Sequence, residues 1–181
     1  MRIISGIRRG LILESPENEN IRPTIDRIKE AMFSIIQFDL GEIVLDLFAG
    51  TGQLGIEAIS RGAKHVIFCD SDQKSIELIK RNLNKAKFTE FATVINSDWK
   101  SALNNISKNI KINTVLLDPP FESKIHENVI MYLQNKDLLQ ENALIIVECK
   151  KAEQLPEQIG NCKLLKKYNY GQVSLNLYKF E

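Results

Sequence analysis

From residue 43 to residue 148, short apolar segments alternate with segments whose apolar side chains recur at helical spacing. The short segments predict β-strands at residues 43–48, 65–70, 92–96, 114–118 and 143–148. The amphipathic segments predict helices at residues 54–61, 75–86, 98–106 and 126–134. Because strands that alternate with helices form right-handed βαβ units, this region predicts a parallel sheet covered on both faces. We therefore expect an α/β fold of the Rossmann-like type.

The C-terminal segment follows a different pattern. Two predicted strands, residues 163–170 and 173–180, are separated by little more than Gly171 and Gln172. So short a connection makes them antiparallel neighbours. A parallel sheet that ends in an antiparallel hairpin departs from the plain dinucleotide-binding pattern. We expect ligands at the carboxyl ends of the central strands, where the strand order reverses.

The N-terminal region predicts a small β-hairpin followed by a polar loop. Residues 2–4 and 11–13 are short predicted strands around Gly6 and Gly10. Thr24 then stands where a side-chain oxygen can cap a helix, because apolar side chains recur at helical spacing after it.

The composition is that of an ordinary globular protein, with 44% hydrophobic and 26% charged residues. No apolar run reaches the roughly 18 residues of a membrane span, and the N-terminus lacks the apolar stretch of a signal peptide. The length of 181 residues suits one main domain, expected at residues 24–181, preceded by an appendage at residues 1–23. The three cysteines show neither zinc spacing nor a disulfide framework, which favours a reduced, cytoplasmic setting and no metal.

Positive charge is concentrated near the N-terminus, although the net charge of the chain is only +1. The first ten residues contain Arg2, Arg8 and Arg9 and no acid, and Arg22 and Arg27 follow soon after. A local basic face can bind nucleic-acid phosphates even when the total charge is small. Arg8 and Arg9 are the best candidates for phosphate contacts, and a solvated surface is the alternative.

The strongest local signal is the ten-residue segment DLFAGTGQLG, which leaves a predicted strand at Asp46 and opens a predicted helix. Gly50 and Gly52 allow the backbone to turn sharply and to approach a ligand closely. Together with Gly55 they match the dinucleotide-binding fingerprint, and Asp70 stands where that fingerprint places a ribose-binding acid. A nicotinamide-dependent oxidoreductase is therefore one interpretation.

Asp46 favours a different ligand. An acid inside this turn would oppose a bound pyrophosphate, but it would attract S-adenosylmethionine, which carries a sulfonium and an ammonium group. Asp70 can accept hydrogen bonds from ribose hydroxyls, and Asp98 can accept one from the adenine amine. Each acid alone could be a helix cap or a turn former, whereas three acids at successive strand ends predict a cofactor site. The predicted cofactor-binding residues are Asp46, Phe48, Ala49, Gly50, Gly52, Asp70, Ser71, Asp98 and Trp99.

The segment Asp118-Pro119-Pro120-Phe121 ends the fourth strand of the alternating region. Two prolines after a strand can simply end it. The functional interpretation is a catalytic loop for an exocyclic base amine, whose delocalised lone pair must be activated. Asp118 and the Pro119 carbonyl can accept the two amine hydrogens, and Phe121 can stack on the base for about 1–3 kcal/mol. The amine would attack the sulfonium methyl group in line, and the base would be unpaired or flipped out.

The motif D-[ILV]-F-x-G-[ST]-G with a downstream D-P-P-[FYW] resembles class I methyltransferases that act on base amines. Segments along the whole chain resemble the RsmD family of bacterial 16S rRNA guanine-N2 methyltransferases. These segments are MRIISG, RRG, IRPTIDRIKE, LDLFAGTGQLGIEAISRGA, LLDPPF, GQV and LY. The resemblance implies a mostly parallel, seven-stranded sheet with an antiparallel last strand. It also implies S-adenosylmethionine as the cofactor and 16S rRNA within a 30S assembly particle as the substrate.

The resemblance assigns further residues. Arg22, Thr24 and Arg27 match the family segment that faces cofactor and RNA, and Asp118–Phe121 matches its catalytic loop. Two positions depart from the family pattern. Ile25 stands where threonine is usual, and the last residue of the catalytic loop is phenylalanine where tyrosine is common. Stacking on a base is kept by this phenylalanine, and any role of the hydroxyl is lost.

Three other kinds of function are open alternatives. A DNA adenine-N6 or a protein glutamine methyltransferase can use the same acceptor geometry. A nicotinamide-dependent oxidoreductase would need a turn that tolerates pyrophosphate, against which Asp46 argues. A non-catalytic RNA-binding module would have no use for an intact Asp118–Phe121 segment. The main expectation is a monomeric rRNA methyltransferase.

Overall fold

The computed structural model of the chain describes residues 1–16, 23–36, 39–120 and 125–181, without the side chains of residues 23–25. The α-helices are α1 (Pro23–Ile36), α2 (Gln53–Ser60), α3 (Gln73–Ala86), α4 (Trp99–Asn105) and α5 (His126–Asn135). The strands are β1 (Ile43–Asp46), β2 (His65–Asp70), β3 (Ala92–Asn96), β4 (Ile112–Leu117), β5 (Leu139–Lys150), β6 (Gln158–Ile159), β7 (Cys162–Tyr170) and β8 (Val173–Phe180). Within the described ranges, none of the helices combines the length and the apolar character needed to cross a bilayer.

The described strands form a mixed sheet in the order β3-β2-β1-β4-β5-β8-β7-β6. Strands β1 to β5 are parallel, as the alternation of strands and helices predicts. Strand β8 lies between β5 and β7 and is antiparallel to both. The strand order reverses between β1 and β4, which places a ligand-binding crevice at the carboxyl ends of these strands.

The expectation of seven strands is wrong, because the described residues form an eighth. This strand is β6, which is two residues long and pairs with the edge strand β7 through a tight turn at Gly160 and Asn161. Two residues are too few to show the alternation that marks a strand in a sequence. The mostly parallel architecture with an antiparallel last strand is confirmed.

Successive residues of the central strands point to opposite faces of the sheet, and each face has its own core. Val44 and Phe68 pack on the face covered by α1, α2 and α3. Leu45 and Ile67 pack on the face covered by α4 and α5. On the first face α2 lies very close to the sheet, since a Cβ atom at Gly55 would lie 2.2 Å from the Phe68 ring. The helix that follows the glycine turn is thus held tightly against β2.

The N-terminal segment forms the predicted hairpin with one β-bridge rather than two full strands. The bridge joins Arg2 and Ile12, and the Ile3 N–H donates to the Leu11 carbonyl at 2.9 Å. Ile3 and Leu13 are buried in the same core as α1 and α2. Apolar packing therefore attaches the hairpin to the rest of the molecule.

Helix α1 begins at Pro23, so the prediction that Thr24 caps this helix is wrong. Thr24 lies within the first turn instead. Proline suits the first position of a helix, because the N–H that it lacks would have no partner inside the helix. Ile28 and Met32 are buried, as their helical spacing predicts.

Candidate active site

The glycine turn connects β1 to α2 and is fixed by its own backbone. Gly50 and Gly52 have φ angles of 52° and 77°, in the left-handed region that favours glycine. The Gly50 N–H donates to Oδ2 of Asp70 at 2.8 Å, and the Gly52 N–H donates to the Ala49 carbonyl at 2.7 Å. Gly52 is also the N-cap of α2. The turn therefore presents its backbone at the carboxyl end of the sheet with little freedom to rearrange.

Asp46 lies beneath this turn. Its side chain is 1% exposed, and its Oδ2 accepts a hydrogen bond from the Gly55 N–H at 2.9 Å. Burial raises the pKa of Asp46 to about 7; the charges of Asp118 and Asp70 add to the increase, and the hydrogen bond from Gly55 opposes it. Asp46 therefore joins the end of β1 to the first turn of α2.

Asp70 is the last residue of β2 and Asp98 follows β3, and both accept hydrogen bonds from backbone N–H groups. Asp70 accepts from the Gly50 N–H through Oδ2 and from the Asp72 N–H through Oδ1, at 2.8 and 2.9 Å. Asp98 is the N-cap of α4, and its Oδ1 accepts from the Ser101 N–H at 3.1 Å. Hydrogen bonds from the Ser101 hydroxyl and N–H lower the pKa of Asp98. Both acids thus have a turn or cap role in addition to any contact with a ligand.

A cleft of about 710 Å³ opens at the carboxyl ends of the central strands, which is a volume typical of small-molecule sites. The predicted site residues that line it are Phe48, Gly50, Asp70, Ser71, Asp98, Trp99, Asp118, Pro119 and Pro120. Asp46, Ala49 and Gly52 do not line it, and Phe121 lies outside the described residues. The predicted cofactor turn and the predicted catalytic loop therefore share one cleft.

Asp118 and Glu148 lie side by side in this cleft. In the parallel pair β4 and β5, Leu117 is in register with Val147. Asp118 directly follows the end of β4, and Glu148 is the next residue of β5. Burial raises the pKa of both carboxyls, and the charge of Asp118 raises that of Glu148 further. The sequence reasoning missed Glu148, although a single acid at the end of the apolar segment 143–147 was an available signal.

Lys29 is a second cleft residue that the sequence reasoning missed. Its side chain is 1% exposed, and its Nζ donates to the Arg2 carbonyl at 2.6 Å. Nζ also lies 3.8 Å from a carboxylate oxygen of Asp26 and 3.9 Å from one of Glu57. Burial lowers the pKa of Lys29, and the two acids oppose this shift. Lys29 therefore links the hairpin, α1 and α2 at the edge of the cleft, and its place beside Ile28 on an amphipathic helix was the available signal.

The arginines predicted to contact RNA lie around the hairpin. Arg9 and Arg27 line a polar groove of about 430 Å³, together with Arg2 and with acidic side chains of α1. Arg8 is exposed, and its Nε donates at 3.0 Å to the carbonyl of the last residue of α3. The groove opens between the hairpin and α1, so these two elements bring the basic side chains to one surface. Two predicted RNA contacts, Arg22 and the side chain of Thr24, lie outside the residues that the structure describes.

The chain is similar to known bacterial proteins along nearly its whole length. The protein named Ribosomal RNA small subunit methyltransferase D of Haemophilus influenzae is 39% identical, over 99% of this chain and 93% of its own. Its namesake in Escherichia coli is 35% identical, over 100% of this chain and 90% of its own. The solved structure of the Escherichia coli protein yhhF superposes with a TM-score of 0.88 at 35% identity, covering 100% of this chain and 98% of that chain.

A more distant solved structure shares the fold alone. It is an RNA methyltransferase from Salinibacter ruber in complex with S-adenosyl-L-homocysteine, with a TM-score of 0.66 at 12% identity, covering 93% of this chain and 94% of that chain. The predicted Rossmann-like methyltransferase fold is thereby confirmed. The family model described as Conserved hypothetical protein 95 matches residues 1–179. This match and the full-length relatives confirm the resemblance that the sequence motifs indicate, and the chain belongs to the RsmD family.

Proposed function

We propose that this chain transfers a methyl group from S-adenosylmethionine to the exocyclic N2 amine of a guanine in small-subunit ribosomal RNA. The observation that carries the proposal is the single cleft in which Asp70 and Asp98 face Asp118 and Pro119. The names of the full-length relatives support the reaction and the rRNA substrate.

The lining of the cleft fits the cofactor. Asp70 and Asp98 offer carboxylate oxygens at neighbouring strand ends, and the Trp99 side chain lies beside them. The Oε1 atom of Gln53 is buried at the cleft, and no donor among the described residues reaches it, so an acceptor is free for a ligand. When bound, S-adenosylmethionine supplies an electrophilic methyl group on a sulfonium. Asp46 acts on this site through Gly55 and the glycine turn rather than by lining the cleft.

The acceptor end of the cleft fits an amine. Asp118 and the Pro119 carbonyl accept the two hydrogens of the amine, which draws its lone pair out of conjugation with the ring. The nitrogen–carbon bond forms as the carbon–sulfur bond breaks, and the bonding pair stays on sulfur. The methylated nitrogen then loses a proton, and ionised Asp118 is placed to accept it. The raised pKa of Asp118 brings it closer to neutral pH, where a base of this kind works best.

The surface around the hairpin fits a polyanion. Arg2, Arg9 and Arg27 line one groove, and Arg8 is exposed on the neighbouring loop. Phosphate contacts from these side chains would orient the RNA without reading its sequence. The target guanine would have to be unpaired or flipped out to enter the cleft. We further propose Arg22 and Thr24 as RNA contacts, and residues 1–23 as an RNA-facing appendage of the main domain.

The test is to map the methylated position. Small-subunit particles from cells that lack this protein would be incubated with the purified protein and labelled S-adenosylmethionine, and the rRNA would be analysed by mass spectrometry. We expect one N2-methylguanine that is absent without the protein. Naked 16S rRNA as a parallel substrate tests the proposal that an assembly particle is required. Label in duplex DNA adenine or in a protein glutamine, with none in rRNA, would contradict the proposal. The proposed monomeric state, the cytoplasmic location and the absence of a metal stay predictions.

A further inference from the structure

The pair formed by Asp118 and Glu148 exceeds what activation of an amine requires. One carboxylate and one carbonyl are enough to accept two amine hydrogens, and Asp118 and Pro119 supply these. Glu148 comes one step beyond the last registered pair of β4 and β5, beside Asp118. Neighbouring strands lie about 4.8 Å apart, so the two carboxyls reach adjacent atoms of one ligand.

Among the described residues, neither carboxyl has a hydrogen-bond partner that explains its position. In the part of the chain that the structure describes, no hydrogen-bond donor reaches Asp118 or Glu148. Each is half-buried, and two acids side by side on neighbouring strands repel one another when both are ionised. Such a costly arrangement, inside a cleft, marks a functional site. The acceptor atoms of Glu148 are therefore available to a bound substrate.

We propose that Glu148 accepts a hydrogen bond from the ring N1–H of guanine and so selects guanine over purines that carry the same amine without this hydrogen. The inference rests on the proposed function and names the residue that sets its base specificity. Glu148 takes no part in bond making or breaking.

The chemistry of the purine edge carries the selection. In guanine the ring N1–H stands next to the N2 amine, so two neighbouring donors face two neighbouring acceptors. In adenine the ring nitrogen next to the amine carries a lone pair instead, which a carboxylate oxygen repels. Asp118 and Pro119 recognise an amine in either base, and they cannot make this distinction. Glu148 lines the same cleft beside them and can make it.

The experiment replaces the mapped target guanine with 2-aminopurine in reconstituted particles. It is run at about pH 8.5, above the pKa of about 8 to which burial and the charge of Asp118 raise Glu148, so that this carboxyl is ionised and can only accept. This base keeps the amine at C2, but its N1 has a lone pair and no hydrogen. For the wild-type protein we expect guanine to be methylated at least about 100-fold faster, because a site built to accept a hydrogen rejects an analogue that lacks it. In Glu148→Gln the side-chain amide can donate to the lone pair of 2-aminopurine. The preference should then fall below about 10-fold.

The matched control is Glu141→Gln, which makes the same change on β5 at an exposed position away from the cleft. It should keep the wild-type preference. Each preference is a ratio measured on one protein preparation, so partial loss of folded protein cancels. An unchanged ratio in Glu148→Gln, or equal use of the two bases by the wild type, would overturn the role of Glu148 while leaving the proposed function intact. If the wild type methylates no rRNA guanine at all, the proposed function fails first and the inference fails with it.

Discussion

The two ends of the cleft hold negative charge in opposite ways. At the end formed by β2 and β3, Asp70 and Asp98 accept hydrogen bonds from backbone N–H groups, which fix their orientation. At the end formed by β4 and β5, Asp118 and Glu148 are half-buried, and no donor within the described ranges reaches them. The side chains of Asp70 and Asp98 are thus already oriented before a ligand binds. The other end keeps its acceptor atoms for a substrate, and burial favours the protonated form of its acids.

The change Asp118→Asn should have the largest effect and should act on chemistry alone. Asparagine fits the same space but cannot take up a proton, and an NH2 group that donates replaces one of the two carboxylate oxygens. We expect kcat to fall by about 1,000-fold. Binding of S-adenosylmethionine should stay close to the wild-type value. Single-turnover methylation and a calorimetric titration measure the two quantities.

A control for this variant is Asp137→Asn, which changes an exposed acid outside the cleft. It should leave both quantities unchanged. Undiminished turnover in Asp118→Asn would remove the amine-activation mechanism.

The change Asp70→Asn should act at the end of the cleft formed by β2 and β3. It should alter the affinity for S-adenosylmethionine rather than kcat. It replaces one carboxylate oxygen by an amide group that cannot accept from the Gly50 N–H or from a ribose hydroxyl. We expect the dissociation constant for S-adenosylmethionine to rise about 10-fold, the size of a lost charged hydrogen bond. Turnover at saturating cofactor should change little. If turnover fell at saturating cofactor while the affinity for S-adenosylmethionine stayed the same, the assignment of cofactor binding to one end of the cleft and of catalysis to the other would be wrong.

The buried end predicts opposite pH dependences for activity and stability. Burial raises the pKa of Asp118 to about 6, and this carboxyl can take up a proton only when ionised, so kcat/KM should rise about 10-fold between pH 5 and pH 7. A carboxyl whose pKa rises on folding stabilises the folded state fully below its unfolded pKa, and this contribution is lost as pH rises through the folded pKa. The free energy of unfolding without cofactor should therefore fall over the same interval.

The change Glu148→Gln distinguishes the contribution of Asp118 and Glu148 to the pH dependence of stability from that of the other titrating groups. Denaturant unfolding at several pH values should show a smaller pH-dependent loss of stability in this variant than in the wild type. An identical pH dependence in the two proteins would contradict the assignment of the raised pKa values to this end of the cleft.

The change Asp98→Asn should have the smallest effect, and it separates a structural role from a binding role. Asparagine is as good an N-cap as aspartate, so α4 should keep its start and thermal unfolding should be unchanged. The lost charge should weaken binding of S-adenosylmethionine by about 2- to 3-fold, since the side chain is exposed and solvent screens it. A lowered melting temperature with unchanged affinity would show that Asp98 serves only as a cap.

Local patterns in the sequence were enough for most of the fold. The strands at 65–70 and 92–96 have the predicted bounds, because apolar residues with turn residues on both sides mark a buried strand. The two-residue strand β6 was missed because its pairing depends on the edge that β7 presents. Family resemblance and glycine spacing placed the cleft at the correct edge of the sheet.

The site was less accessible to sequence reasoning than the fold. The neighbourhood of Asp118 and Glu148 depends on the register between β4 and β5, which no local pattern contains. The direction of the Asp46 side chain depends on the Gly55 N–H, nine residues away. Lys29 owes its burial to the hairpin and α2, which reach it from distant parts of the sequence.

The position of β8 imposes an order on folding. This strand comes after all the others in the chain, yet it fills the gap between β5 and β7 rather than an outer edge. During synthesis on the ribosome, the backbone groups of β5 that pair with β8 stay unpaired until residues 173–180 emerge from the exit tunnel. An open strand edge is prone to pair with other chains, so the nascent protein is most vulnerable to aggregation just before its own last strand arrives.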